Sequence, residues 1–428
     1  MEYIPRAVIC EKIDNREIRW GSTLVSRGEI SFLSKFWEWS LWVQKLLLKR
    51  NLRELAFAVS STVKDYHRLN SIYRAFCEVW CPETNTFVTA NDEIGISLWN
   101  ICEISGLTIM GHYYEEVVPS LSELTDHLPK SCLYLFNVFA LIAHANESDR
   151  VTHEQWINFW FHENGCVPNP PQHKNYKNAM NLNPFKRRHQ RTSKEILRPV
   201  VADKPRGITR RDRRHWGNFP VSLSMEEEEE LETVAYLSLW LYRFVLPSGD
   251  ESIRVGTFKP SSRMAGGYTY SLVPPILASI YSGLTRTSNY QANPDLGSIS
   301  HSFPRHFLYV WVATYFVRGV YAHVDKSYFR PIIRRYAGTL NAFQSWEKNV
   351  VDCREFIRGA MNTDNFCWNP LPSSSHPDVR VDDQSRSTDT SEFMMSIRSG
   401  FVSYRRGNSP FILEAYNPHR FARQFGFR

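Results

Sequence analysis

Between Trp80 and Gly106, WCPETNTFVTANDEIGISLWNICEISG, one helix has to stop, the chain has to reverse and a second helix has to begin. Proline at position 82 lacks an amide proton and disfavours helical geometry in Cys81 before it, so the apolar-periodic segment Tyr66–Trp80 must end there. Thr86-Phe87-Val88-Thr89 then alternates as a short strand, Asn91-Asp92 supplies turn chemistry, and Ile94-Gly95-Ile96 returns. Ser97 is a good N-cap for the next helix, which carries Leu98, Ile101 and Ile104 on one face and stops at Gly106. The stretch predicts a corner of helix, hairpin and helix. Its polar residues Glu83, Thr84, Asn85, Asp92 and Glu93 are accounted for by stopping, turning and capping. Its short strand is expected to pair with Phe411–Tyr416 near the C-terminus.

The remainder is dominated by the helical period. In Ser31–Arg50, Phe32, Phe36, Trp39, Val43 and Leu46 recur at three- and four-residue steps ahead of a basic end that suits the macrodipole. Helices are also expected at Leu52–Val63, Leu121–Leu128, Ser131–Ala145 and Thr152–His162. A further helix runs from the acidic turn Glu226–Glu230 to Leu246. Pro274-Pro275 and Pro304 then stand at the starts of two more, where a missing amide proton costs nothing. Others are expected at Ser327–Arg335 and Trp346–Met361. Phe401–Tyr404 and Phe411–Tyr416 flank a hairpin, and Pro418 opens a short terminal helix with Phe421 and Phe425 on one face. The fold class expected is mainly α, a multi-helical globular domain with one or two short β-hairpins forming a small sheet. With 428 residues, 43% of them hydrophobic, the chain can build a large core, and its thirteen Trp and twenty-six Phe read first as core.

Several function classes are disfavoured. The eight cysteines are scattered without a CxxC pair, the pattern of a reduced intracellular protein. The N-terminus is charged where a signal peptide needs an apolar core, and the longest apolar runs, Leu133–Ala143 and Phe307–Val317, fall well short of the ~20 residues of a membrane span. No membrane partner is expected. His144, His153 and His162 recur every nine residues near Glu163 and Cys166, but that step turns successive side chains to different helix faces, so they read as surface or helix-end histidines and not as a metal site. The acid pairs Glu115-Glu116 and Asp382-Asp383 read as solvated, and Glu226–Glu230 as a helix start favoured by the dipole and not as a docking patch. Motifs of hydrolases, nucleotide-binding loops and zinc proteases are missing, and neither catalytic residues nor a cofactor is expected.

The composition changes after Val167. Pro184–His215 concentrates Lys and Arg with few bulky apolar residues and reads as an exposed arm. Its basic clusters, Lys186, Arg187, Arg188 and Arg191, then Arg210, Arg211, Arg213 and Arg214, are candidates for nuclear import or nucleic-acid contact, with a solvated linker as the plain alternative. Pro370–Glu392, rich in Ser, Asp and Pro, reads as a flexible loop. The expected organisation is an N-terminal extension (1–30), a helical part (31–166), the basic insertion (167–222), a second helical part of the same domain (223–369), the loop (370–392) and the terminal hairpin with its short helix (393–428).

In order along the chain, WCPETNTF, ISLWNICEISGL, YLSLWLYRFVLP, SLVPPILASIYSGL and ILEAYNPHRFARQFGF resemble the plant mobile domain family. Its members occur as host plant proteins and inside plant transposable elements, and the sequence is most similar to the retrotransposon-associated branch. The resemblance spans Ile72–Arg428 apart from the basic arm. It points to Trp80, Pro82, Glu83, Thr84, Phe87, Ser97, Leu98, Gly106, Tyr416, Pro418, Arg420, Arg423 and Gln424 as structural or partner-binding positions. It departs at Asn100, where members carry an acidic residue, which predicts a weaker capping box. The chain also stops directly after the QFG motif, which reads as truncation or degeneration of a longer open reading frame. The family is also labelled aminotransferase-like, yet no phosphate cup supports a pyridoxal-phosphate enzyme. The resemblance implies a noncatalytic nuclear protein in silencing, genome maintenance and meristem upkeep, with a phosphatase-like protein partner. The net charge of +7 leaves nucleic-acid binding through the arm as the alternative.

Overall fold

The computed structural model describes residues 34–60, 70–88, 93–161, 224–247, 252–291, 302–316, 331–333, 388–407 and 410–425. The 1–30 extension, the 167–222 insertion with its basic clusters, Trp346–Met361 and Asp382-Asp383 lie outside the described residues. The fold is mainly α with small sheets, as expected.

The N-terminal helices are α1 (Ser34–Lys49), α2 (Arg53–Ser60) and α3 (Asn70–Val79). A three-stranded antiparallel sheet follows, β1 (Trp80–Cys81), β2 (Thr86–Val88) and β3 (Glu93–Ile94), and then α4 (Leu98–Ser105). Trp80, expected as the last helical residue, is a strand residue paired with Phe87, so the helix stops one residue earlier, at Val79, and Cys81 before Pro82 is extended as its proline requires. After β4 (His112–Tyr113) come α5 (Leu121–Asp126), α6 (Lys130–Ala145) and α7 (His153–Trp160). Beyond the insertion lie α8 (Met225–Trp240), α9 (Phe258–Ala265), β5 (Tyr270–Ser271), α10 (Val273–Gln291), α11 (Arg305–Phe316) and α12 (Thr388–Ser396). The hairpin β6 (Gly400–Tyr404) and β7 (Ile412–Tyr416) precedes a terminal 3-10 segment, Pro418–Phe425, kinked at Phe421.

Capping chemistry sets the helix starts. Ser97 with Asn100, Thr152 with Gln155 and Ser224 with Glu227 each form reciprocal boxes between side chain and backbone. The expectation of a weaker box at Asn100 is corrected here. Its carbonyl oxygen accepts from Ser97 N at 2.9 Å, as a carboxylate would, while its amide donates to Tyr315 Oη at 2.8 Å, which a carboxylate could not do. At the far end of α4, Gly106 adopts the left-handed conformation (φ 69°) that ends helices. The helix begun at Met225 continues to Val245, but its last turn, Leu241–Val245, is π-helical.

One apolar core joins the parts before and after the insertion. Helix α8 crosses its middle, packed on α1, α6 and α9. Phe36 stacks on Tyr236 at 5.4 Å, Trp39 meets the same ring edge-on, and Ser40 hydrogen-bonds its hydroxyl at 2.7 Å. Trp156 stacks on Phe258 and donates to Ala235 O at 3.0 Å. Around the corner, Phe76, Trp80 and Trp311 all pack on Phe87. The acidic start of α8 faces the basic end of α1, with Lys49 2.8 Å from Glu229 and Arg50 3.7 Å from Glu230.

Candidate interaction surface

The corner and the C-terminal segment do meet, but not by the strand pairing expected. β2 pairs with β1 and β3, while β7 pairs with β6 in a separate two-stranded sheet, so that expectation is corrected. Strand β2 lies between β1 and β3, so no edge is left to it for the hairpin. Side chains join the two segments instead. Asn85, held at φ 54°, donates to Ala415 O at 3.0 Å, and Tyr416 Oη accepts from Leu98 N at 3.1 Å while donating to Ser396 O at 2.5 Å. Gln424 accepts from Gly95 N at 2.7 Å. A Cβ on Gly95 would collide with the Phe421 ring, so glycine there permits the close approach. Arg420 donates to Glu93 through Nε at 2.7 Å, and this bond holds the Glu93 carboxyl below its usual range.

Most residues singled out along the sequence are thereby placed in architecture. Trp80 donates to Thr285 Oγ1 at 3.0 Å, Thr84 and Thr86 share a hydroxyl contact of 2.7 Å, and Cys81 Sγ donates to the exposed Glu83 at 3.1 Å. Pro82 is half-buried and Pro418 buried at the start of the terminal 3-10 segment, whereas Arg423 is exposed. His144 is exposed, but His153 is buried against Tyr242. Burial first, then Arg243 and Arg254, push its pKa down to about 2. His162 lies outside the described residues. Among the described residues no three His, Cys, Asp or Glu side chains gather as a metal site.

Two acidic residues read as solvated or loop-borne are buried. Glu116 is 1% exposed; its Oε1 accepts from Arg254 at 2.5 Å and Tyr114 Oη at 3.0 Å, with Tyr404 Oη at 3.4 Å. Burial would lower the Arg254 pKa, but the Glu116 carboxylate reverses this and raises it. The Glu116 backbone accepts from Gly407 N at 2.6 Å and donates to Arg405 O at 3.3 Å, so the pair clasps the hairpin to the body. Glu392, expected in a flexible loop, sits in α12 at 2% exposure. It accepts from Ile109 N at 2.9 Å, Cys102 Sγ at 3.1 Å and Thr108 Oγ1. Both corrections have one cause: the partners come from sequence-distant elements.

What remains open is apolar. The hairpin buries Val402, Tyr404 and Tyr416 toward the body. Its opposite face shows Phe401 (71% exposed) and Leu413 (54%), with Phe411 (53%) just before β7. Tyr113 (55%) adjoins them, its hydroxyl 3.5 Å from Ser403 Oγ. Its neighbour His112 stacks at 3.9 Å on Tyr268, which borders a cleft of about 370 Å³. The cleft lies between the α1–α2 turn, the end of α4 and the α9–β5 loop, with Leu52, Leu55, Leu107, Met264 and Leu272 among its lining and Arg53 beside them. Parallel pairing of β4 with β5 fixes this strip, and at Gly111 (φ 119°) an added Cβ would stand 2.8 Å from Thr269 O. Scattered exposed apolar residues mean little, whereas contiguous ones mark interaction sites.

The family model of the plant mobile domain matches residues 55–428. The chain belongs to the plant mobile domain family. The match begins before Ile72, where the sequence resemblance starts, and takes in most of α2. No curated protein and no solved structure matches the chain. In this plant mobile domain the motif positions serve mainly to join the corner to the C-terminal block, while the exposed surface lies beside them on the hairpin's outer face. Sequence reasoning passed over that surface, though a signal was present: FVSY and FILEAY place large apolar residues on both faces of their strands, where a half-exposed hairpin needs them on one.

Proposed function

We propose that this plant mobile domain protein is a noncatalytic, nuclear protein-interaction module of the retrotransposon-associated branch, acting in gene silencing, genome maintenance and meristem development. The observation that carries the interaction reading is the exposed apolar surface of Phe401, Phe411, Leu413 and Tyr113 on a scaffold anchored by buried bonds. The buried carboxylates Glu116 and Glu392 are engaged in holding elements together, which favours a binding role over a reactive one. No helix among the described residues is long and apolar enough to cross a membrane. The basic residues of 184–215 suit nuclear import, and a phosphatase-like protein is the partner class the family suggests.

The test is affinity capture from plant nuclei, with and without nuclease, comparing the natural chain with a Phe401→Ser, Leu413→Ser double variant of unchanged thermal stability. The proposal expects partners that survive nuclease and are lost with the double variant. Recovery unchanged by the variant refutes it. A fluorescent fusion should accumulate in nuclei and disperse when 184–215 is deleted. The second reading, nucleic-acid binding by the arm, is favoured by the net charge of +7. It requires retention of DNA or RNA that weakens steeply with salt.

A further inference from the structure

We infer that the outer edge of β7 is a strand-addition site, and that its occupant is an extended segment of a partner protein alternating apolar with acidic residues. The inference rests on the protein-interaction reading above and names the chemistry of the partner.

Three observations meet at this edge. The first is the direction of the backbone groups. In an antiparallel pair, residues alternate between those bonded across the ladder and those whose N–H and C=O point away. Ala415 O accepts from the Asn85 side chain, and Arg405 O, on the other strand's continuation, accepts from Glu116 N. Both carbonyls therefore face away from the hairpin's inner ladder. Given the pairing of Phe401 with Ala415 and Ser403 with Leu413, the N–H and C=O of Leu413 also face outward. The continuation of β6 is met on its far edge by Glu116 through Arg405 and Gly407, whereas among the described residues the corresponding edge of β7 is met by Asn85 at Ala415. Leu413 thus offers a donor and an acceptor in the geometry an added strand requires.

The second observation is the apolar row beside that edge. Phe411 and Leu413 are more than half exposed and flank the groups the new strand would use, with Phe401 across the hairpin. Alternate side chains of an added strand would cover them. The third is charge. Residues 397–425 hold five arginines (398, 405, 406, 420 and 423) and one acid, Glu414; with Glu93, which pairs with Arg420, counted as well, five positive charges face two negative, a difference of +3. Glu414 is tied to Asn85 and half-buried, while Arg398 and Arg405 are exposed. An acidic strand is attracted by that field, whereas a second copy of the hairpin would bring like charges together.

The test uses the full chain and a fluorescent peptide of about eight residues alternating valine and glutamate, read by polarisation. Two further peptides carry backbone N-methyl groups on one or the other set of alternate residues, and a fourth has lysine for glutamate. The parent peptide should bind, and one N-methylated peptide should match it while the other loses about tenfold or more. The lysine peptide should bind more weakly. Leu413→Pro, which removes the outward N–H and leaves the β6 ladder its bonds, should abolish binding, and Leu413→Ala should retain most of it. Absence of binding, equal binding of both N-methylated peptides or of the lysine peptide, or self-association that Leu413→Pro abolishes would each overturn the inference. Nuclear partners lost with the Phe401→Ser, Leu413→Ser variant but kept by Leu413→Pro would sink the strand-addition site while sustaining the interaction module.

Discussion

The ion pair of Glu116 with Arg254 is the interaction whose removal should most clearly reveal how the C-terminal hairpin is held. The two side chains are 2% and 14% exposed and 2.5 Å apart. At an effective dielectric near 20, charges so placed attract by roughly 4 kcal/mol or somewhat more. Replacing either by methionine keeps the bulk but strands the other charge. Arg254 would retain only carbonyl acceptors, with Leu246 O at 3.2 Å from both terminal nitrogens, and Glu116 only tyrosine hydroxyls. Each single variant should therefore lose about 3–5 kcal/mol of stability. The double variant strands no charge and should lose about as much as one single variant, since it still leaves the Tyr114 hydroxyl and Leu246 O short of partners. Urea titrations of the natural chain, both singles and the double close the cycle. Hydrogen exchange at Gly407, whose N–H donates to Glu116 O, should speed up before that of the α8 core. Losses that simply add, within about 0.5 kcal/mol, would refute the claim that the pair is a coupled clasp.

Three further outcomes follow from the same geometry. Asn85→Ala should cost about 2 kcal/mol, from the lost bond to Ala415 O and the left-handed backbone at φ 54°, and Asn85→Gly about half that; equal thermal shifts would disprove the backbone share. Gly95→Ala should destabilise by about 1–3 kcal/mol by driving a methyl group into the buried Phe421 ring, and an unchanged melting temperature would contradict the close packing. Burial raises the Glu232 carboxyl to about 7, so the folded chain keeps a proton that the unfolded chain loses near its ordinary value of 4.5. Stability should fall by up to roughly 3 kcal/mol as pH rises between those values, and Glu232→Gln should flatten that slope in denaturant titrations; an unaltered slope assigns it to other groups.

What could be read along the chain and what could not divide by the range of the interaction. Ser97, Gly106, Thr152 and Pro418 act on their immediate neighbours, so cap, stop and first-turn positions were legible from residue type alone. Tyr416, Gln424 and Leu98 were marked by family resemblance, but the bonds of Tyr416 to Leu98 and of Gln424 to Gly95 were not legible, because no local rule links positions more than three hundred residues apart. Glu116 shows the limit most clearly. Beside Glu115, between a short strand and a proline, its local chemistry is that of a solvated acid. It is buried because Arg254, 138 residues later, reaches it and because Tyr404 arrives from the hairpin. A carboxylate loses several kcal/mol on leaving water and recovers it only through such partners. Its burial is therefore a property of the assembled fold and not of the segment that carries it. The same holds in reverse for Phe401 and Leu413, whose apolar side chains would be assigned to a core by composition. Pairing with β7 and β6 fixes them on the hairpin's outer face, turned away from the side on which Val402, Tyr404 and Tyr416 join the core, so residue type alone misplaces them.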